Sequence, residues 1–145
     1  MVQERIEREI DISAPVEKVW AAITEAEHLG TWFGDAGATV DLRPGGRITL
    51  SWKDHPTAVA VVEKVEPTAY LSYRWSGPLH EEPGEGNSTL IEFTLHPIEE
   101  GTRLRVVESG FRDLVLSAEA RASYFDGNVD GWKQKTEELR AHVER

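Results

Sequence analysis

Ile10-Asp11-Ile12-Ser13-Ala14-Pro15-Val16-Glu17-Lys18-Val19-Trp20 is the stretch on which the fold turns. Up to Ile12 the apolar period is two. Ile6, Arg8, Ile10 and Ile12 share one side of an extended chain and Glu7, Glu9 and Asp11 the other, which suits a half-buried strand. After Pro15 the period becomes 3.6. Val16, Val19, Trp20 and Ile23 fall at i, i+3, i+4 and i+7, the stripe of a short helix with Trp20 in the core. Proline suits the first turn because the amide it lacks would be unpaired there. Thr24 and Glu27 have capping-box spacing, which predicts a second short helix from Glu25 that carries Leu29 and ends near Gly30, Trp32 and Phe33.

From Ala36 to Gly110 the chain reads as strand and turn. Val40 and Leu42 precede the turn signal Arg43-Pro44-Gly45-Gly46, and Ile48, Leu50 and Trp52 alternate until Asp54-His55-Pro56. Thr57 to Val65 is rich in β-branched residues and ends at Glu66-Pro67. Leu71, Tyr73 and Trp75 alternate again, as do Ile91, Phe93 and Leu95, and Leu104 and Val106 after the turn at Glu99-Glu100-Gly101. Short connections favour an antiparallel meander, since parallel neighbours need long crossovers. One connection is long: Ser76 to Ser88, rich in glycine, proline and glutamate, reads as a lid or a mobile hairpin tip. Beyond Phe111, the residues Phe125, Val129, Trp132, Thr136, Leu139 and Val143 step by fours and threes along a long terminal helix.

Composition narrows the function classes. The chain has 145 residues, 39% hydrophobic and 29% charged, the profile of one ordinary globular domain spanning 1–145. With no cysteine, disulfides, thiol nucleophiles and thiolate metal sites are excluded. A formal charge of −10 opposes binding to nucleic acid or anionic membrane. Met1 to Glu7 lacks a signal-peptide stretch, and no run approaches the ~20 apolar residues of a membrane span, so a cytoplasmic protein is expected.

One strand, two short helices, about six strands and a long amphipathic helix make an α+β fold. The curved antiparallel sheet must wrap around the C-terminal helix, a helix-grip arrangement. The opening Ile10 to Trp20, Leu29 with Trp32-Phe33, Gly45-Gly46, Val62 to Pro67, Ser109-Gly110-Phe111 and Gly131-Trp132 together resemble START-like (SRPBCC) proteins. Within them, they resemble the branch named after the activator of the heat-shock protein 90 ATPase. The resemblance implies a cavity between sheet and helix in which members bind lipids, sterols or polyketides. Some members catalyse cyclisation, and the eponymous one stimulates a chaperone through a longer, two-domain chain.

Several side chains are candidates for a ligand site. Large aromatics supply apolar area, and some a polar tip, so Trp32, Phe33, Trp52, Tyr73, Trp75, Phe93, Phe111 and Trp132 are expected walls. Glu108 is the most informative polar residue, because strand parity places it with Val106 and Leu104 on the apolar side. Tyr124 and Asn128 are further polar contacts, and Gly127 and Gly131 read as a kinked helix start or as room beside a ligand. His28, His55, His80 and His96 fall in expected turns or loops and, with His142, show no metal-ligand spacing. No metal or other cofactor is expected. The leading expectation is a non-enzymatic module for a small hydrophobic molecule. The alternatives are a chaperone-linked interaction protein and a polyketide cyclase- or hydratase-like enzyme using Glu108 as acid or base.

Overall fold

The computed structural model describes residues 4–77 and 81–145. Strand β1 (Arg5–Ile12) leads into helices α1 (Val16–Thr24) and α2 (Ala26–Trp32). Six strands follow: β2 (Ala38–Val40), β3 (Arg47–Trp52), β4 (His55–Glu66), β5 (Tyr70–Ser76), β6 (Ser88–Ile98) and β7 (Gly101–Ser109). A single 3-10 turn, Phe111–Asp113, then joins helix α3 (Ala118–Glu144). The strands form one antiparallel sheet of order β1-β7-β6-β5-β4-β3-β2, so the meander is uninterrupted and β1 closes it from the far side. Register shifts at Leu50/Trp52 and Val62/Lys64 are the irregularities that bend strands.

The concave face is covered by α3. Its buried residues are Phe125, Trp132, Thr136, Leu139 and Val143, the stripe expected from the sequence except for Val129, which is half-buried. Ser117 starts the helix by accepting a hydrogen bond from the Ala120 amide, 3.1 Å. Polar ties then fix α3 along β1: the Arg8 guanidinium donates to Thr136 Oγ1 at 3.3 Å, and the Arg140 guanidinium to the Asp11 carbonyl at 3.2 Å. The β6–β7 turn needs glycine at position 101, where φ is +150° and a Cβ would stand 2.2 Å from the Ile12 carbonyl oxygen. Beyond β7, the Glu4 carboxylate accepts from the amides of Gly110 and Arg112, 2.8 and 2.9 Å, pinning the chain's start to the end of the sheet.

Several local expectations are corrected. Thr24 does not cap α2. Its hydroxyl donates back to the Trp20 carbonyl at 2.7 Å, and Glu25 occupies the cap without a side-chain bond. Trp20 is half-buried at the edge of the core, because α1 is covered chiefly along Val19, Ala22 and Ile23. His28 lies within α2, His55 opens β4 and His96 lies in β6, where sheet pairing extends through the expected breaks; His80 lies outside the described residues. Gly127 and Gly131 sit well inside α3, which runs unbroken, so neither marks a helix start. Of the long β5–β6 connection, residues 78–80 lie outside the described residues. Its remainder is tied by Gly84 N–H to Asn87 Oδ1 at 2.7 Å and by an Arg47–Glu82 ion pair at 2.7 Å.

Spacing along the sequence also conceals a histidine contact. His28 Nδ1 and His142 Nε2 are 2.8 Å apart, joining α2 to the end of α3. One ring must donate and the other accept, so protonating both rings would set two N–H groups against each other. Burial, then the charge of His28, with Arg145 and Lys18 adding, hold His142 below the ordinary imidazole range. The folded state therefore takes up this proton less readily than the unfolded chain. The contribution is full above about pH 6.5 and is lost as pH falls through the lowered value. Melting curves should show a drop below about pH 6.5 that is shallower in His142→Gln. Identical slopes in both proteins would mean the contact does not clasp α2 to α3.

Candidate functional site

The site is built around one carboxylate. Glu108 lies on β7 between Ile6 of β1 and Ile91 of β6, and only 1% of it is exposed. A charge there needs donors, and three converge on it. Trp132 Nε1 and Asn128 Nδ2, both from α3, donate to Oε1 at 2.9 and 3.0 Å, and the Thr89 hydroxyl of β6 donates to Oε2 at 2.5 Å. Burial raises the carboxyl above the ordinary carboxylate range, and the three bonds pull against that rise without cancelling it. Burial, with the nearby charge of Glu108 second, also raises the phenols of Tyr73 and Tyr124, which stay neutral.

Beside Glu108 lies a cavity of about 110 Å³. Phe33, Trp75, Trp132 and Ile91 form its apolar walls, and Glu108, Asn128, Gly131 and Lys135 complete the lining. Phe33 is the keystone: it stacks on Trp75 with ring centroids 5.6 Å apart and meets Trp132 edge-on at 5.8 Å. The partly exposed members are Trp75, Asn128, Gly131 and Lys135, which places the mouth between β5 and α3. A Cβ at Gly131 would meet nothing within 4 Å, so this glycine leaves open space beside the cavity rather than serving a close helix approach.

Of the residues expected at a ligand site, Phe33, Trp75, Glu108, Asn128 and Trp132 come together around this cavity. Phe93 and Tyr73 stand behind the wall, Phe93 packing edge-on to Trp132 at 6.0 Å. Trp32 stacks on Phe33 and donates from Nε1 to the Ala22 carbonyl at 2.7 Å, tying α2 to α1. Trp52 donates to the Phe33 carbonyl at 3.0 Å, so it supports the keystone from outside. Phe111 is fully buried against Phe125, and Tyr124 lies next to it, within reach of Asn128 and Trp75. Lys135 and Ile91 join the lining without having been expected there. Helical spacing signals Lys135, one turn beyond Gly131 and two beyond Asn128, and strand alternation signals Ile91, two residues before Phe93.

With this geometry in view, the sequence profile described as Activator of Hsp90 ATPase homolog 1-like protein matches residues 13–144. The chain belongs to that family. This bears out the START-like resemblance and the helix-grip fold. Protein MLL2253 from Mesorhizobium loti is 28% identical, with a TM-score of 0.78 over 97% of each chain. The Aha1 dimer from Colwellia psychrerythraea is 21% identical, with a TM-score of 0.78 over 99% of this chain and 97% of that one. DynU16, from the dynemicin biosynthetic locus, is 23% identical at a TM-score of 0.77, covering 99% of this chain and 48% of its own. These last two likenesses show the fold alone. No curated protein matches the sequence. No helix among the described residues is long and apolar enough to cross a membrane.

Two substitutions test the construction of this candidate site. Trp132→Ala should cost about 3–5 kcal/mol, the range for deleting a large buried aromatic. A loss below about 1 kcal/mol in a denaturant titration would mean that α3 is not anchored there. Glu108→Gln can keep every contact, with Oε1 accepting from Trp132 and Asn128 and Nε2 donating to Thr89, whose hydroxyl turns to accept. Because the folded carboxyl lies above its ordinary value of 4.5, it stabilises below that pH and loses this as pH rises through the folded value. The Gln variant should therefore equal or exceed the parent in stability near neutral pH, with its advantage shrinking towards about pH 4. Destabilisation by more than about 2 kcal/mol at neutral pH would mean the carboxylate is a net stabiliser.

Proposed function

We propose that the protein is a binding module that holds a small, mainly apolar molecule between the sheet and α3. The observation that carries this is the cavity itself: walls of Phe33, Trp75 and Trp132 and a buried carboxylate, opening between β5 and α3. A well-packed core would fill such a space with side chains, since each void forfeits contacts. Its volume of about 110 Å³ is below that of a drug-sized site but near the ~150 Å³ apolar cavity that takes up benzene. The fitting ligand is thus the size of one ring. A sterol, lipid or polyketide would need Phe33 or Trp75 to swing aside.

Membership in a family named for a chaperone activator, together with the acidic charge of −10, supports a second reading as a chaperone-linked interaction protein. It predicts co-purification with a heat-shock protein 90 type chaperone at an outer surface that the cavity does not share. A cyclase-like role would require Glu108 to exchange a proton with a bound substrate. DynU16, from a biosynthetic locus, is the fold neighbour that favours testing it.

The binding reading is tested with benzene, toluene and indole. Binding to the folded state alone must raise the melting temperature, and a ligand at a hundred times its Kd adds about 2.7 kcal/mol. Trp75→Ala should abolish or alter the size preference by opening the wall. No shift with any apolar probe at its solubility limit, together with no retained molecule in native mass spectra of fresh protein, would overturn the reading.

A further inference from the structure

We propose that the molecule held in this cavity is a small organic cation: a protonated amine on a ring-sized apolar body, its ammonium against Glu108 and its body against the aromatic wall. This inference rests on the reading of the cavity as a ligand site and adds the chemical class of the occupant.

Glu108 lacks a charge partner among the described residues. Glu108 is a carboxylate with three donors, all neutral: a threonine hydroxyl, an asparagine amide and an indole. Among the described residues, every ion pair joins groups at the partly or fully exposed surface, and none reaches Glu108. Neutral donors lessen the cost of burying a charge, but a counter-cation would cancel more of it. Tyr73 and Tyr124 face the carboxylate as neutral phenols and cannot supply one. Lys135 is the sole cation of the lining, and its ammonium is 2.8 Å from Glu138 Oε2 and 3.4 Å from the Trp32 carbonyl. That charge is already matched on α3.

Glu108 also keeps an unused acceptor position. A carboxylate offers about four acceptor positions. Oε1 accepts two bonds here and Oε2 one, so Oε2 retains room for a further donor. The cavity wall is largely aromatic. Trp75 and Trp132 line it with indole rings, the aromatic system that attracts a cation best, while Phe33, stacked between Trp32 and Trp75, holds the wall in place. A carboxylate without a counter-ion and two indoles beside one ring-sized space, with the Lys135 charge matched by Glu138, favour a cation there.

Linkage supplies a signature that a purely apolar pocket lacks. Where free Glu108 holds a proton, an arriving ammonium displaces it to solvent, so amine binding strengthens as pH rises towards the ligand's own pKa. A neutral ring shows no such dependence.

The experiment uses the full chain and a matched set of cyclopentylamine, cyclopentanol and cyclopentanecarboxylate, titrated calorimetrically in two buffers of different ionisation enthalpy. Cyclopentylamine should bind at least about tenfold tighter than cyclopentanol, with the carboxylate weakest. Glu108→Gln should bring amine and alcohol to within about threefold of each other, and Trp75→Leu should weaken the amine more than the alcohol. Alcohol binding equal to amine binding, carboxylate binding best, or an amine preference that survives Glu108→Gln would each overturn the cation assignment while leaving the cavity reading in place. No binding by any of the three or by benzene, toluene or indole, with no molecule retained in native mass spectra, would overturn both.

Discussion

A bent antiparallel sheet has one concave face, and the free energy of this fold depends on covering it with helices, α3 along β1 and the short α1 and α2 against the other strands. The cover is not uniformly apolar. At its centre Glu108 of β7 accepts bonds from Trp132 and Asn128 of α3 and from Thr89 of β6, so sheet and helix are registered through one carboxylate. Apolar packing is nondirectional and would let a helix slide along a groove. Three directed bonds to one buried group allow far less sliding, because any displacement leaves a costly unpaired acceptor. The same bonds hold the Trp132 ring where it forms one side of the cavity. Structural registration and the candidate ligand site are therefore built from the same atoms.

The aromatic wall has a similar double dependence. Phe33 ends α2, and its placement relies on Trp32 bonded to α1 and on Trp52 bonded to the Phe33 carbonyl. Neither supporting indole lines the cavity, yet both determine where its keystone sits. The shape of the cavity consequently depends on the two short helices as much as on the sheet, and their far end is tied to α3 through His28 and His142.

Much of this was legible in the sequence because it follows from periodicity. Alternation through Leu104, Val106 and Glu108 survives in the structure because β7 pairs with both neighbours without a bulge, so parity alone puts Glu108 inside. The stepping of Phe125, Trp132, Thr136, Leu139 and Val143 likewise assigns the buried face of α3. What parity cannot supply is distance between elements. Equal alternation placed Tyr73 and Trp75 on one face, but only the crossing of α3 decides that Trp75 touches the cavity and Tyr73 stands behind it. The Thr24 capping box failed for a physical reason: a hydroxyl at the end of one helix found the Trp20 carbonyl first, a local bond that competes with capping the next. The histidine contact spans 114 positions and leaves no local trace.

The pairing of β1 with β7 sets an order of events during synthesis. Ile6 finds its partner at Glu108, so about a hundred residues must emerge before the first strand can leave solution. At ordinary elongation rates that wait is roughly 5–20 s, during which β2 to β7 can zip as successive hairpins of low contact order. Glu108 is meanwhile next to an open edge and accessible to water. Its desolvation falls late, when β1 and then α3 arrive, so this carboxylate is buried only after the frame around it has formed.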